Sequence, residues 1–231
     1  ALAVLAEEAG LPPGVFNMVS GFGPAAVKAE GAGVQYDTAS EVWTARYVHE
    51  KIALAFSITD EAIQDNLYGN IGSKYAKALA RSLVHTKEIK GANILNNAFN
   101  SSYKGGDNKE LCATDHPLSG GGTFANELVT PADLSETALE DACIAIANFV
   151  DEKGIPVMVM PRKLIVPTQL LFEAHRILMS NLRVGTADND PNALKDMGMF
   201  PEGMHIVRRL TDTDAWFIKT DCPDGLKHMM R

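Results

Sequence analysis

Residues 71–99 read IGSKYAKALARSLVHTKEIKGANILNNAF. Ile71, Tyr75, Ala78, Leu79, Ser82, Leu83, Thr86, Ile89 and Asn93 recur at steps of three and four, the period of one helical face. The pattern predicts a helix from Ile71 to about Phe99, roughly 40 Å long at 1.5 Å per residue. Its apolar stripe is narrow and partly polar. A helix this long with so thin an apolar face is not wrapped by its own domain, so it is expected across a flat sheet or against neighbouring subunits.

Toward the N-terminus, Thr59-Asp60-Glu61 supplies a hydroxyl cap and two first-turn acids, which start a short helix running to Leu67. Before it, residues 34–58 are rich in strand formers, among them Val42, Trp43, Tyr47 and Val48. From Ile52 to Ile58 the large apolar residues occupy every second position, which predicts a strand with one apolar face. Trp43, Tyr47, Val48 and Ile52 lie on this extended stretch with few local partners, so they are the expected intersubunit contacts. Residues 1–30 read differently: a helix over Ala1–Ala9 stopped by Gly10 and Pro12-Pro13, a strand over Val15–Val19, and a turn at Gly21–Pro24.

Toward the C-terminus, Tyr103–Thr130 reads as a long loop, a length that usually carries function or partner contacts. A helix follows over Pro131–Lys153, with a capping-box pattern at Thr137 and Glu140 and a stripe of Leu139, Ala142, Cys143, Ile146, Phe149 and Val150. Ile155–Pro161 and Lys163–Val166 read as strands kept short or near an edge by Pro156, Pro161 and Pro167. Thr168–Leu182 is expected as a helix and Gly185–Gly203 as a polar loop. His205–Leu210 and Ala215–Lys219 are expected to form a hairpin-like pair around Thr211–Asp214. The mix is α+β, and the lack of βαβ alternation argues against a doubly wound parallel sheet.

The 231 residues are 46% hydrophobic and 22% charged, which excludes wholesale disorder. The net charge of −8 does not fit a dedicated nucleic-acid binder, although one local basic face remains compatible with it. Three cysteines make neither a metal-type spacing nor an even disulfide set, which suits a reducing compartment. No apolar run approaches a membrane span. The chain begins without Met or a signal peptide and so reads as processed or as a fragment.

No motif makes a convincing active site. Cys112, Asp115 and His116 share a Gly-flanked loop, but nothing in sequence positions a base for the thiol, and a structural loop is the simpler reading. Cys143 falls on a buried stripe, and Cys222 has no partner in sequence. Asp188, Asp190 and Asn192 begin like a calcium loop, but Ala193 and Met199 stand where Gly and Glu belong. Asp212 and Asp214 read as solvated turn residues. His175 is expected on a solvated helix face. Gly21, Gly23 and Ala26 fit a loose G-x-G-x-x-A, but Gly31 and Gly33 cut short the helix it needs. Accordingly no residue is expected to be catalytic, to bind a cofactor or to hold a metal.

Six blocks of residues, in order, carry a resemblance. They are Phe56–Glu61 with Asp65–Gly69, His85–Glu88, Ala92–Phe99, Leu164–Pro167, Ala187–Asn192 and Leu210–Trp216. Over about Ala32–Arg231 the chain resembles the phage major capsid protein family, in particular the Mu-like prophage major head subunit, with the fold first seen in the phage Hong Kong 97. The resemblance implies an extended arm, a long spine helix and a mixed sheet. It implies an N-terminal segment at 1–30, an arm at 31–58 and a peripheral domain with spine helix and loop at 59–130. An axial domain at 131–204 and return strands at 205–231, which read as truncated, would follow. The implied function is non-enzymatic self-assembly into an icosahedral shell. The implied partners are further copies in capsomers, scaffold or portal proteins, and packaged DNA held without sequence-specific contact, with no membrane. The implied location is the virion capsid, assembled in the bacterial cytoplasm.

Leu5–Val19 with Gly21-Phe22-Gly23 resembles the nicotinamide-cofactor domain of the aldehyde dehydrogenase superfamily. That family's Phe-Thr-Gly-Ser and its catalytic Glu and Cys segments are absent from this sequence. The alternative reading is therefore a fragment or fusion of an NAD(P)-dependent aldehyde dehydrogenase, inactive as it stands. A third is a phage head or scaffold accessory protein of similar fold.

Overall fold

The computed structural model describes residues 16–19, 41–45, 48, 50–65, 71–183, 190–222 and 226. Strand β1 (Phe16–Val19) pairs antiparallel with β2 (Glu41–Ala45), placing Met18 opposite Trp43. The ladder joins a strand from the N-terminal segment to one from the expected arm. The helix expected at 1–9, the turn at 21–24 and the Gly21/Gly23/Ala26 motif lie outside the described residues.

The strand expected over Ile52–Ile58 does not form; residues 50–59 are extended but belong to no ladder. Period-two patterning identifies a chain with one apolar side, whereas a strand also needs a hydrogen-bonding edge beside it. Here the neighbour is a helix. Helix α1 (Asp60–Gln64) begins where expected, with Thr59 Oγ1 accepting from Ala62 N–H, and ends at Asp65, short of Leu67. Helix α2 spans Ile71–Asn96, 26 residues and about 39 Å.

The segment 103–130 is a folded excursion. Two-residue strands β3 (His116–Pro117) and β4 (Thr123–Phe124) pair across a turn in which Gly121 and Gly122 take φ of +90° and +92°, accessible without a Cβ. Helix α3 covers Glu136–Ala147, less than the expected Pro131–Lys153. Its cap is Ser135, whose Oγ accepts from Ala138 N–H, and Thr137 already lies inside the helix. Leu139, Ala142, Cys143 and Ile146 form its buried stripe.

Strand β5 (Pro161–Val166) is the centre of a three-stranded sheet, flanked by β6 (Met204–Ile206) in parallel and β7 (Phe217–Thr220) antiparallel. Two expectations fail here. The proline-bounded strand is central, because Pro161 occupies its first position and Pro167 follows its last. The strands expected as a hairpin never meet, because β5 lies between them. Ile155–Met160 forms no strand, only an isolated bridge between Pro156 and Val150.

Helix α4 (Leu171–Met179) is shorter than the expected Thr168–Leu182, and Leu182 is exposed. The expected polar loop contains helix α5 (Ala193–Asp196), which sends Leu194 into the core. That core joins Leu139 and Cys143 of α3, Leu164 and Val166 of β5, Ala174, Ile177 and Leu178 of α4, and Leu194. These helices cover one face of the sheet. Trp216 packs against the same cluster and donates its Nε1–H to the Ala132 carbonyl at 3.0 Å.

Candidate assembly surfaces

Among the described residues, helix α2 is tied to the sheet only toward its C-terminal end. The Asn96 amide acts as a peptide mimic: Nδ2–H donates to the Arg209 carbonyl at 3.1 Å and Oδ1 accepts from Thr211 N–H at 3.0 Å. Arg209 also reaches Glu88, one helical stretch earlier, at 3.5 Å. Past the helix end, the Phe99 ring stacks on Phe217 at 5.7 Å. Phe217 precedes the core residue Ile218, so strand alternation turns it to the sheet face opposite the core. Ala98 is fully buried, and its carbonyl accepts from Cys112 N–H at 2.9 Å, which pins the 103–130 excursion to the same junction.

The rest of α2 is covered by one strap. Glu50 pairs with Lys90, Phe56 meets the Tyr75 ring edge-to-face at 5.8 Å, and Ile58 lies beside Gly72. The strap thus runs antiparallel to the helix. Eighteen helical residues rise about 27 Å and eight extended residues span about 26 Å, so the lengths match. The cover is thin. Ala92 is the one buried residue of the 26 in α2, Tyr75 remains 50% exposed and Phe56 44%. The opposite face carries Lys74, Lys77, Arg81 and His85, all exposed.

Of the expected contact residues, Trp43 is half-buried on β2, Val48 is 78% exposed and Ile52 is half-buried; Tyr47 lies outside the described residues. Further exposed apolar groups were not singled out in sequence. Phe172 and Met179 share the outer face of α4 at i and i+7, and Val129, Met158 and Met197 protrude elsewhere. The α4 signal was present in the spacing, since Phe172 falls off the Ala174–Leu178 stripe. Of these, Phe172 and Met179 lie together on one helix face; single exposed apolar residues are ordinary on a protein surface.

Cys112, Asp115 and His116 are not brought together as a catalytic set. Buried His116 donates Nδ1–H to Asp107 at 2.6 Å, while Asp115 pairs with Lys109. His116 Nε2 is buried without a partner among the described residues. Burial pushes the Cys112 thiol up to about 12 and Cys143 to about 11, so both stay protonated and non-nucleophilic near neutral pH. Asp188 lies outside the described residues. Asn192 is a fully buried structural cap: its Oδ1 accepts from Lys195 N–H and its Nδ2–H donates to the carbonyls of Ile177 and Ser180. Asp212 and Asp214 are exposed in their turn and share a side-chain hydrogen bond, which lowers the carboxyl of Asp212 and raises that of Asp214. His175 is exposed on α4. Among the described residues no group of three His, Cys, Asp or Glu side chains is placed to hold a metal, and no helix is long and apolar enough to cross a membrane.

A family model described as phage capsid protein matches residues 41–228. A chain of the capsid of bacteriophage JBD30 decorated with minor capsid protein trimers superposes with a TM-score of 0.62 at 14% identity, covering 85% of both chains. A chain of the bacteriophage JBD30 capsid superposes with a TM-score of 0.59 at 13% identity, covering 84% of both. At these identities the likeness is one of fold. No curated protein matches the chain.

Proposed function

The chain belongs to the phage capsid protein family and is a structural capsid subunit; from that premise we propose that it is the major head subunit of a tailed phage or prophage of the Mu-like type. On this reading the fold is of the Hong Kong 97 type, and copies close into an icosahedral shell around DNA. Residues 31–58 include the arm, which carries β2 over a neighbouring subunit while its later part, residues 50–58, lies along α2 of its own chain, and α2 is the spine of a peripheral domain at 59–130. Residues 131–204 form the axial domain, and 205–231 supply the return strands. The other partners are scaffold or portal proteins and DNA packaged without base recognition. The location is the virion, after assembly in the bacterial cytoplasm. Residues 1–30 are the N-terminal segment, joined to the arm through the β1–β2 ladder. The family match begins at residue 41, past the stretch resembling aldehyde dehydrogenases, so the comparisons lend the dehydrogenase alternative no support.

One observation carries the proposal. A helix of 26 residues with a single buried residue is left mostly uncovered by its own subunit. It needs repeated neighbours, which closed rings of copies supply. The test is Trp43→Asp in the full chain, read by sedimentation and helical circular dichroism. A charge at a contact resists desolvation, so the variant is expected to stay unassembled with the Leu139–Ile146 stripe folded. Normal assembly would remove the arm from the interface. Outright unfolding would return Trp43 to the subunit's own core.

A further inference from the structure

We infer that the outer face of α2, carrying Lys74, Lys77, Arg81 and His85, binds the phosphodiester backbone of duplex DNA without reading its bases. The inference rests on the capsid reading for the presence of DNA and on the helix for the site.

The charge distribution is unusual for this chain. Net charge is −8, yet no carboxylate occurs between Asp65 and Glu88. Helix α2 carries Lys74, Lys77, Arg81, Lys87 and Lys90 against Glu88 alone, and Glu88 is already engaged by Arg209. At 100° per residue, Lys74, Lys77, Arg81 and His85 fall within about 80° of one another. They face away from the half-buried line of Leu79, Leu83 and Thr86 that the strap covers. All four are exposed, and among the described residues none of the four side chains makes an ion pair or hydrogen bond.

The geometry favours a rod-shaped polyanion. The four groups stack along about 16.5 Å of helix axis with no acid interleaved. Duplex DNA presents one charge per about 1.7 Å, hence close to ten over that length. A uniformly anionic rod complements a one-sign basic face along its whole length. This face carries one sign. Base readout needs a side-chain constellation fitted to a groove, whereas a line of flexible cations reads only phosphates.

The experiment uses the full chain and a fluorescent 20-base-pair duplex of mixed sequence, with anisotropy measured from 50 to 200 mM NaCl. Three cation–phosphate contacts predict a log–log salt slope of about −2.7, a loss of about 40-fold in affinity across that range. A duplex of shuffled sequence should bind equally. The triple variant Lys74→Ala, Lys77→Ala, Arg81→Ala should abolish binding with helical dichroism retained. Lys163→Ala with Lys219→Ala, on the sheet, should leave it intact. The inference is overturned by no binding at 50 mM salt, by binding the triple variant keeps, or by equal loss in the sheet variant. It is also overturned if DNA is ignored and the triple variant instead loses salt-sensitive self-association, which would assign the face to carboxylates of a second copy. Shells that form without DNA binding remove this inference and leave the capsid reading. DNA binding by a chain that never assembles does the reverse.

Discussion

Replacing Asn96 with Ala cuts both arms of the fork that joins α2 to the 209–211 turn. The two hydrogen bonds, at 3.1 and 3.0 Å, link residues 113 and 115 positions apart. A net hydrogen bond stabilises by roughly 0.5–1.5 kcal/mol, and these two are partly open to water, which takes over some of the freed groups. A loss of about 1–2 kcal/mol follows. At a urea dependence of about 2 kcal/mol per molar, the unfolding midpoint should fall by about 0.5–1 M. Asn96→Asp keeps the acceptor for Thr211 N–H and loses the donor to the Arg209 carbonyl, so its midpoint should fall between wild type and Ala. Amide exchange supplies a local readout: the Thr211 N–H should lose protection in the Ala variant and retain part of it in the Asp variant. A midpoint for Asn96→Ala within about 0.2 M of wild type, with Thr211 still protected, would refute the fork as the anchor of the helix.

Leu164→Ala empties a fully buried site in the central strand and should destabilise by about 2–5 kcal/mol, read from the same urea curves. A smaller loss would mean that the sheet–helix core collapses to fill the space. In thiol labelling at pH 8, exposed Cys222 should react first, with Cys112 and Cys143 following only on addition of urea. The same burial makes stability alkali-sensitive. Both thiols are protonated in either state below about pH 9, and the unfolded chain ionises first as pH rises, so stability should fall between about pH 9 and 12. Cys112→Ala should flatten that decline, and an unchanged alkaline slope would place Cys112 in contact with water.

Helix α2 was legible because its three-and-four spacing is long and uninterrupted by proline, and its exposure followed from the thinness of the stripe. The α3 stripe was legible for the same reason, while its cap was misplaced by two residues because Ser135 and Thr137 both satisfy the hydroxyl-cap pattern, and its start, expected at Pro131, falls at Glu136. What failed was pairing. Ile52–Ile58 has the alternation of a strand, and nothing local reveals that its neighbour is a helix. The strands expected at 205–210 and 215–219, found at 204–206 and 217–220, are close in sequence and read as a pair, yet β5, some forty residues upstream, separates them. The clamp at Asn96 was invisible because its partners are backbone groups more than a hundred residues away, which carry no side-chain signature, and at Asn192 the local cap on Lys195 N–H gave no sign of the bonds back to Ile177 and Ser180. Asn93-Ile94-Leu95-Asn96-Asn97 stood out as a block, and the structure supplies its reason.

The placement of β5 between two later strands also sets a clock. Leu164 faces Met204 on one side and Ile218 on the other, 40 and 54 residues further along the chain. Synthesis at about 5–20 residues per second leaves β5 waiting roughly 2–8 s for its first neighbour and 3–11 s for its second. Throughout that interval the apolar face of β5 lacks its finished cover, and α2, made long before, lacks its anchor at Thr211. Helix and strap can form early from contacts close in sequence, but the frame that orients them closes only once residue 220 has emerged. A nascent subunit therefore carries helix and strap for seconds before the frame that fixes their geometry has closed.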